Sequence, residues 1–143
     1  MPQIVVKHSI ECWIFDHTKE CFLLLQCPEN DSHPSYWQPV TGGIEKGERK
    51  VDACLREISE EAGVVLNEEN MILFLEDFRV YAIDKELHKT VFITKTQHLD
   101  VKISDEHIDF KWVAPSDVLP MLLWGSNRAT FQRVLEFLEL DLD

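Results

Sequence analysis

The stretch that decides the fold is "GGIEKGERKVDACLREISEEAGV", residues 42 to 64. Its later part has the spacing of an amphipathic helix over residues 50–62, because apolar side chains recur at i, i+3, i+4 and i+7. The members of this apolar stripe are Val51, Cys54, Leu55, Ile58 and Ala62. Gly63 follows at once, where glycine is favoured just past the end of a helix. We therefore predict a helix that ends at Ala62 and packs one side on the core.

A second side of this helix is acidic. Glu57, Glu60 and Glu61 fall within about 100° of arc, centred roughly 120° from the apolar stripe. Their mutual repulsion costs only a few tenths of a kcal/mol per pair in water, so a solvated acidic face is the ordinary explanation. A divalent cation is the alternative, because Mg²⁺ prefers carboxylate oxygens and reverses the sign of the interaction.

The loop before the helix favours the explanation that the glutamates bind a divalent cation. Gly42, Gly43 and Gly47 permit tight turns and a close approach of the backbone to a ligand. Read together, residues 42–64 satisfy the pattern G-x5-E-x7-R-E-U-x-E-E-x-G-U, in which U is aliphatic. At average residue usage, seven fixed positions would match by chance somewhere in this chain with a probability of roughly 10⁻⁶. The pattern therefore indicates a functional motif.

This pattern is the signature of the Nudix hydrolases, and the chain resembles that family. The resemblance implies an α/β fold, an α/β/α sandwich around a mixed β-sheet, with the motif (the Nudix box) as loop–helix–loop. It also implies an enzyme that uses Mg²⁺, or Mn²⁺ in its place. Its reaction would cleave a diphosphate linkage in a nucleoside diphosphate joined to another group.

The rest of the chain suits such a sandwich. Alternation and short apolar runs predict strands over residues 3–15, 21–27, 71–83, 89–99 and 109–115. Further helices are expected over 116–124, interrupted at Pro120, and over 127–140, with Ser126 as a helix N-cap. Residues 36–48 carry three glycines and a proline, so we expect irregular loop with short extended pieces. This order of elements predicts a mixed sheet with helices packed on it.

The resemblance assigns roles to residues of the box. Glu57, Glu60 and Glu61 resemble the metal-binding glutamates of the family. Arg56 looks like the residue that orients them through a salt bridge. Glu48 matches an acidic position that bonds to the helix or reaches metal through water. Thr41 matches a position whose backbone carbonyl often ligates metal.

The proton acceptor is left open. Glu60 or Glu61 can accept the proton of the attacking water. Some family members use a glutamate outside the box instead, and Glu106 is the candidate for this role or for a further metal ligand. His107 is a second candidate.

The flanks of the box suggest a substrate. The segments 36–48, 110–118 and 126–138 resemble dihydroneopterin triphosphate diphosphatases and related (deoxy)nucleoside triphosphate pyrophosphohydrolases. This favours cleavage of a triphosphate, such as a dATP-like nucleotide or dihydroneopterin triphosphate, to a monophosphate and pyrophosphate. The run "PVTGG", residues 39–43, departs from the form common in other subgroups, which disfavours a specialist for oxidised guanine or dinucleoside tetraphosphates.

Several residues are candidates for contact with this substrate. Trp37, in a loop next to the box, is the first candidate for stacking on a flat ring, ahead of Tyr36, Phe78 and Tyr81. The other candidate binding residues are Gly42, Gly43, Lys46 and Arg79. The two cationic side chains among them would meet terminal phosphates.

Composition limits the remaining classes. The net charge of −12 argues against a nonspecific nucleic-acid binder, which needs a basic face. No segment reaches the ~20 apolar residues of a membrane span, and no signal peptide is evident, so we expect a cytoplasmic protein. The 143 residues suit a single Nudix domain over 1–143 that takes a small nucleotide, and a homodimer is expected only from the resemblance.

Two other functions remain open from the sequence. Within the enzyme class, the alternative is a hydrolase of nucleoside diphosphate sugars or dinucleoside polyphosphates. Outside it, the alternative is a catalytically silent Nudix module that senses a nucleotide. Silent modules usually lose box glutamates, whereas this chain has all of them.

Overall fold

The computed structural model describes residues 3–140. Within them the strands are β1 (Val5–Asp16), β2 (Cys21–Cys27), β3 (Tyr36–Gln38), β4 (Val40–Gly43), β5 (Met71–Tyr81), β6 (Lys85–Thr96) and β7 (Asp109–Val113). The helices are α1 (Lys50–Ala62), α2 (Pro115–Met121) and α3 (Gly125–Phe137), with a 3₁₀ turn at Glu68–Asn70. None of these helices is long and apolar enough to cross a membrane.

The described strands form one mixed sheet. Its main order is β3-β2-β1-β6-β5, with β4 paired to β1 and β7 paired to β2. The pair β1–β6 is parallel along its whole length, from Val5 opposite Lys85 to Asp16 opposite Thr96. The other strand pairs are antiparallel. The prediction of a mixed sheet is confirmed.

Alternation along β1 divides the core between the two faces of the sheet, since successive side chains of a strand point to opposite sides. Ile10, Cys12 and Ile14 pack in one cluster with Cys54 and Ile58 of α1. Trp13 and Phe15 pack in a second cluster with Val118 of α2 and with Phe131, Val134 and Leu135 of α3. Full burial of a side chain such as Ile58 contributes about 1.5–3 kcal/mol. The two clusters make the α/β/α sandwich that the box implied.

Helix α1 has the predicted bounds. Gly63 closes it in the left-handed conformation, with φ 66° and ψ 24°, and donates its N–H to the Ser59 carbonyl at 3.0 Å. The backbone carbonyl of Lys102 would lie 2.8 Å from a Cβ at this position. Glycine is thus required here both by its backbone conformation and by its neighbour.

The other helices differ in detail from the prediction. α2 begins at Pro115 and runs through Pro120 in its last turn, so the proline does not interrupt it. α3 begins at Gly125 with Trp124 at the N-cap, so the prediction that Ser126 caps it is wrong. The Ser126 hydroxyl instead accepts a hydrogen bond from the Lys89 ammonium at 3.2 Å.

Candidate active site

Arg56 joins the two halves of the box. Its Nε and Nη2 donate to the two carboxylate oxygens of Glu48 at 2.8 and 3.0 Å. Nη2 also donates to the Gly43 carbonyl at 2.8 Å, and Nη1 donates to Glu57 at 2.8 Å and to Glu60 at 3.3 Å. The planar guanidinium thus holds the loop, the turn and two helix glutamates in one fixed arrangement.

Glu48 is fully engaged in this arrangement. Besides its two bonds to Arg56, it accepts the backbone N–H of Glu45 at 3.0 Å. The hydrogen bond from the Arg56 guanidinium, followed by that N–H, lowers the pKa of Glu48 to about 2. Glu48 therefore stabilises the box by joining its loop to α1, and both of its carboxylate oxygens already accept hydrogen bonds.

Glu57 lies directly over strand β4. A Cβ on Gly42 would overlap the Cδ and Oε1 atoms of the Glu57 carboxylate. Only 12% of the Glu57 side chain is exposed. Gly42 therefore leaves the space in which this carboxylate sits.

Glu61 is the most unusual side chain of the box. It is buried, and its Oε1 has no hydrogen-bond partner among residues 3–140. Burial, followed by the neighbouring Glu57 carboxylate, raises the pKa of Glu61 to about 9, although the Thr41 backbone N–H acts in the opposite direction. His107 Nε2 lies 3.8 Å from that oxygen, and burial lowers the pKa of His107.

Two adjoining clefts meet beside the box. The first, the acidic cleft, has a volume of about 350 Å³ and is lined by Cys27, Pro28, Asn30, His33, Tyr36, Gln38, Thr41, Glu61, Glu106 and His107. Glu106 and Glu61 line the same cleft, and the role of Glu106 as proton acceptor or metal ligand stays a prediction.

The second, the α3 cleft, has a volume of about 500 Å³. Its lining is Ser9, Tyr36, Gln38, Thr41, Gly42, Val80, Ala82, Lys85, Leu87, Lys89, Trp124, Ser126 and Asn127. The two clefts share Tyr36, Gln38 and Thr41 in their linings, so they adjoin along these three residues.

Two predicted substrate contacts line neither cleft. Trp37 packs against the apolar cluster under α2 and α3 and pairs with Leu122, while its neighbour Tyr36 lines both clefts. Adjacent residues of a strand face opposite sides, so only one of these two rings can face the box. Arg79 lies outside both clefts and bonds to Asp77 at 2.9 and 3.1 Å, which compensates its charge.

The remaining predicted contacts lie near the box. Gly42 lines the α3 cleft, whereas Gly43 contributes the carbonyl that Arg56 binds. Lys46 is exposed in the turn before α1 and stays a prediction.

The sequence reasoning missed part of the cleft lining. Trp124 and Lys89 were not among the candidates, although both line the α3 cleft. One signal was present in the sequence: Glu11 stands inside the apolar run of β1, and a carboxylate there must find buried partners. Its partners are Trp13, Lys89 and two residues of α3, Asn127 and Thr130.

The donor set of the site suits a hard divalent cation. Within residues 3–140, no three His, Cys, Asp or Glu side chains already enclose an ion-sized space. The unpartnered Glu61 oxygen, the adjacent Glu57 carboxylate and the cost of holding both charges together are nonetheless what a cation would resolve. Oxygen ligands of this kind favour Mg²⁺ or Mn²⁺ over softer metals.

Comparison with known proteins identifies the class. The profile of the NUDIX domain matches residues 7–134. The nucleoside triphosphatase NudI of Salmonella newport is 33% identical over 119 residues, which cover 77% of this chain and 82% of that protein. The asymmetrical bis(5'-nucleosyl)-tetraphosphatase of Rattus norvegicus is 29% identical over 129 residues, covering 86% of this chain and 84% of that protein.

Solved structures share the fold. The E. coli dihydroneopterin triphosphate pyrophosphohydrolase matches with a TM-score of 0.73 at 23% identity, covering 93% of this chain and 99% of that one. A MutT protein from Methanosarcina mazei Go1 matches with a TM-score of 0.76 at 24% identity, covering 97% and 99%. The chain belongs to the Nudix family. It is a Nudix hydrolase, and this family generally uses divalent metal cations.

Proposed function

We propose that this chain, as a single Nudix domain, hydrolyses a nucleoside triphosphate or a similar triphosphate to a monophosphate and pyrophosphate, with Mg²⁺ as its cofactor. The observation that carries the proposal is the buried, unpartnered oxygen of Glu61, a residue that lines a cleft beside a complete Nudix box. The identity to a nucleoside triphosphatase supports the substrate class.

The cation would be held by carboxylates of α1. Glu57 lies close enough to Glu61 to raise the pKa of the Glu61 carboxylate, and Glu60 completes the group from its exposed position. Thr41 would add its backbone carbonyl. When bound, Mg²⁺ or Mn²⁺ neutralises phosphate oxygens and polarises the attacking water. Arg56 and Glu48 act as positioning residues, since their bonds to one another hold the ligands in place.

The hydrolysis step needs a proton acceptor. Water oxygen forms a bond to phosphorus, the bond from phosphorus to the bridging oxygen breaks, and pyrophosphate leaves with that oxygen. We assign the water proton to Glu106, which lines the acidic cleft and whose carboxylate has no hydrogen bond or ion pair among the described residues. Glu60 is already bonded to Arg56.

A dinucleoside polyphosphate is the second candidate substrate. It is favoured by the 29% identity to the rat tetraphosphatase over most of both chains. The two candidates differ in their products, because a dinucleoside tetraphosphate releases a nucleotide in place of pyrophosphate.

The test is a substrate panel with Mg²⁺ and with EDTA. It contains deoxynucleoside triphosphates, dihydroneopterin triphosphate, ADP-ribose and a dinucleoside tetraphosphate, with products identified in ¹⁸O water. We expect Mg²⁺-dependent release of pyrophosphate from a triphosphate. Glu61→Gln should lower kcat by about 10²–10⁴, and Glu106→Gln should do so with metal affinity retained. Hydrolysis that survives EDTA, or wild-type turnover by Glu61→Gln, would refute the proposal.

A further inference from the structure

A buried polar network connects β1, β6 and α3 on the side of the sheet away from the box helix. At its centre the Glu11 carboxylate is fully buried. Its Oε1 accepts from Lys89 Nζ at 2.9 Å and from Asn127 Nδ2 at 2.7 Å, and its Oε2 accepts from Trp13 Nε1 at 2.9 Å and from the Thr130 hydroxyl. Four donors satisfy this carboxylate, which offsets the cost of burying it.

The network presents two polar groups to the α3 cleft. Lys89 has three N–H donors, of which Glu11 and Ser126 take two, so one remains for the cleft. Asn127 must turn its NH₂ group to the Glu11 carboxylate, so the orientation of its amide is fixed. Its Oδ1 then has no donor among residues 3–140. Both side chains line the cleft, and both bond the same oxygen, so a donor and an acceptor lie side by side.

The walls around these two groups suit a flat ring. Tyr36 and Trp124 stand at one side with ring centroids 5.4 Å apart, and Val80 and Leu87 add apolar surface. Lys89 is only 7% exposed and its charge is balanced by Glu11, so it is a poor counter-ion for a phosphate. A base-like ring between aromatic and apolar walls, with its edge on the polar pair, fits these surroundings.

We propose that Lys89 and Asn127 make the α3 cleft selective for a ring with a lactam edge, a C=O next to an N–H. The Lys89 ammonium donates to the ring carbonyl, and the Asn127 carbonyl oxygen accepts the ring N–H. Hypoxanthine, guanine, uracil and pterins have this edge, whereas adenine and cytosine place an amino group where the carbonyl would be. An amino group facing Lys89 sets donor against donor and leaves buried polar groups unpaired.

The inference rests on the proposed function only for the class of substrate, and binding tests it without turnover. Calorimetry would compare two matched pairs of monophosphates, IMP with AMP and UMP with CMP. We expect the lactam member of each pair to bind about ten- to a hundredfold more tightly, the range of a hydrogen bond to a charged group.

Two variants locate the effect. The double variant Glu11→Gln with Lys89→Met removes both buried charges together and should abolish the preference. Lys85→Met is the matched control, because Lys85 lines the same cleft but makes no bond to Glu11. Lys85→Met should keep the wild-type ratio of affinities within each pair of monophosphates.

The outcomes separate this inference from the proposed function. Selective binding without Mg²⁺-dependent hydrolysis of a triphosphate supports the inference and refutes the proposed function. Equal affinity of wild type for both members of each pair, or binding of neither pair, overturns the inference. Circular dichroism checks that the double variant folds, and the wild-type comparison decides the question even if it does not.

Discussion

At the scale of single side chains, the arrangement of the box depends on the absence of a Cβ atom at position 42. Gly42 has no Cβ, and the Glu57 carboxylate occupies the space where one would be. Arg56 holds Glu57 from the other side at 2.8 Å, so this side chain has little room to move away. A methyl group on Gly42 must therefore displace a ligand of the proposed metal site.

Gly42→Ala should lower kcat/KM by about 10²-fold, the effect of a misplacement of about 1 Å in an active site. Steady-state kinetics at saturating Mg²⁺ would measure it, with the melting temperature as a check on folding. Gly43→Ala is the comparison, because no atom lies within 4 Å of the position that its methyl group would take. Its loss should be at least tenfold smaller, and equal losses would contradict the steric explanation.

Glu61 gives a pH dependence of stability in the metal-free protein. Its folded-state pKa of about 9 lies above the ordinary value for glutamate. Its contribution to the free energy of unfolding is therefore fully present below the unfolded-state pKa and is lost as pH rises toward 9. In EDTA, melting temperature should therefore fall between pH 7 and 9. His107, whose pKa is lowered by burial, makes stability rise with pH, so it cannot cause this decline.

Glu61→Gln isolates this effect. Burial also raises the pKa of the Cys12 and Cys27 thiols, so their ionisation in the unfolded chain adds to the decline near the upper end of the window, but the variant retains them. The decline should be shallower in the variant than in wild type, and Mg²⁺ should flatten the wild-type decline. Parallel curves for the two proteins would show that Glu61 ionises freely.

For individual residues, the sequence predicted the directions of side chains on α1, because the period of the helix determines them. Glu57, Glu60, Glu61 and Ile58 share one helix, so their relative directions follow from 3.6 residues per turn. The choice between Tyr36 and Trp37 did not follow, because alternation in a three-residue strand does not say which face meets the box. The network around Glu11 was missed for a similar reason: apart from Trp13, its partners are about 80 to 120 positions away in the chain.

Among the elements, α1 carries the site, and its C-terminal end is fixed by Gly63. Gly63→Ala would place a Cβ 2.8 Å from the Lys102 carbonyl in a left-handed backbone conformation. The conformation alone should cost about 1–2 kcal/mol of the free energy of unfolding. Thermal or urea denaturation measures this loss.

A second glycine provides the control for that change. Gly125 begins α3, has no atom within 4 Å of the place where a Cβ would stand, and is free of positive φ. Gly125→Ala should leave stability unchanged or raise it slightly. If both variants lost the same stability, the cause would be general loss of glycine and not the geometry at Gly63.

The positions of helices and strands were predictable where the apolar pattern of a segment ends at a glycine or proline. The bounds of α1 follow from its apolar stripe and Gly63, and β2 follows from a short apolar run before Pro28. β6 begins at Lys85, earlier than predicted. Residues 85–88 have no strand-like alternation, so the sequence pattern did not include them. They are extended because they pair with strands on both sides. Pairing of this kind depends on tertiary structure, which local periodicity does not encode.

Across the whole molecule, the net charge of −12 acts against the compact state and makes cations stabilising. At free Mg²⁺ a hundred times its Kd, specific binding should add about 2.7 kcal/mol to the free energy of unfolding. Melting in Mg²⁺ would be compared with melting in NaCl of equal ionic strength, which supplies screening alone.

A variant separates binding from screening in that experiment. Glu57→Gln combined with Glu61→Gln removes two proposed ligands and should respond to Mg²⁺ no more than to NaCl. An undiminished response to Mg²⁺ would place the stabilising ion elsewhere on the surface.

The parallel pairing of β1 with β6 also bears on how the protein is made. β1 lies in the middle of the finished sheet, and its parallel neighbour β6, which is synthesised later, begins only at Lys85. Until that segment emerges, one whole edge of β1 has open backbone donors and acceptors. Parallel contacts this distant in sequence form slowly, so until β6 is made the nascent chain exposes this unpaired edge and the apolar side chains of β1, to which chaperones can bind.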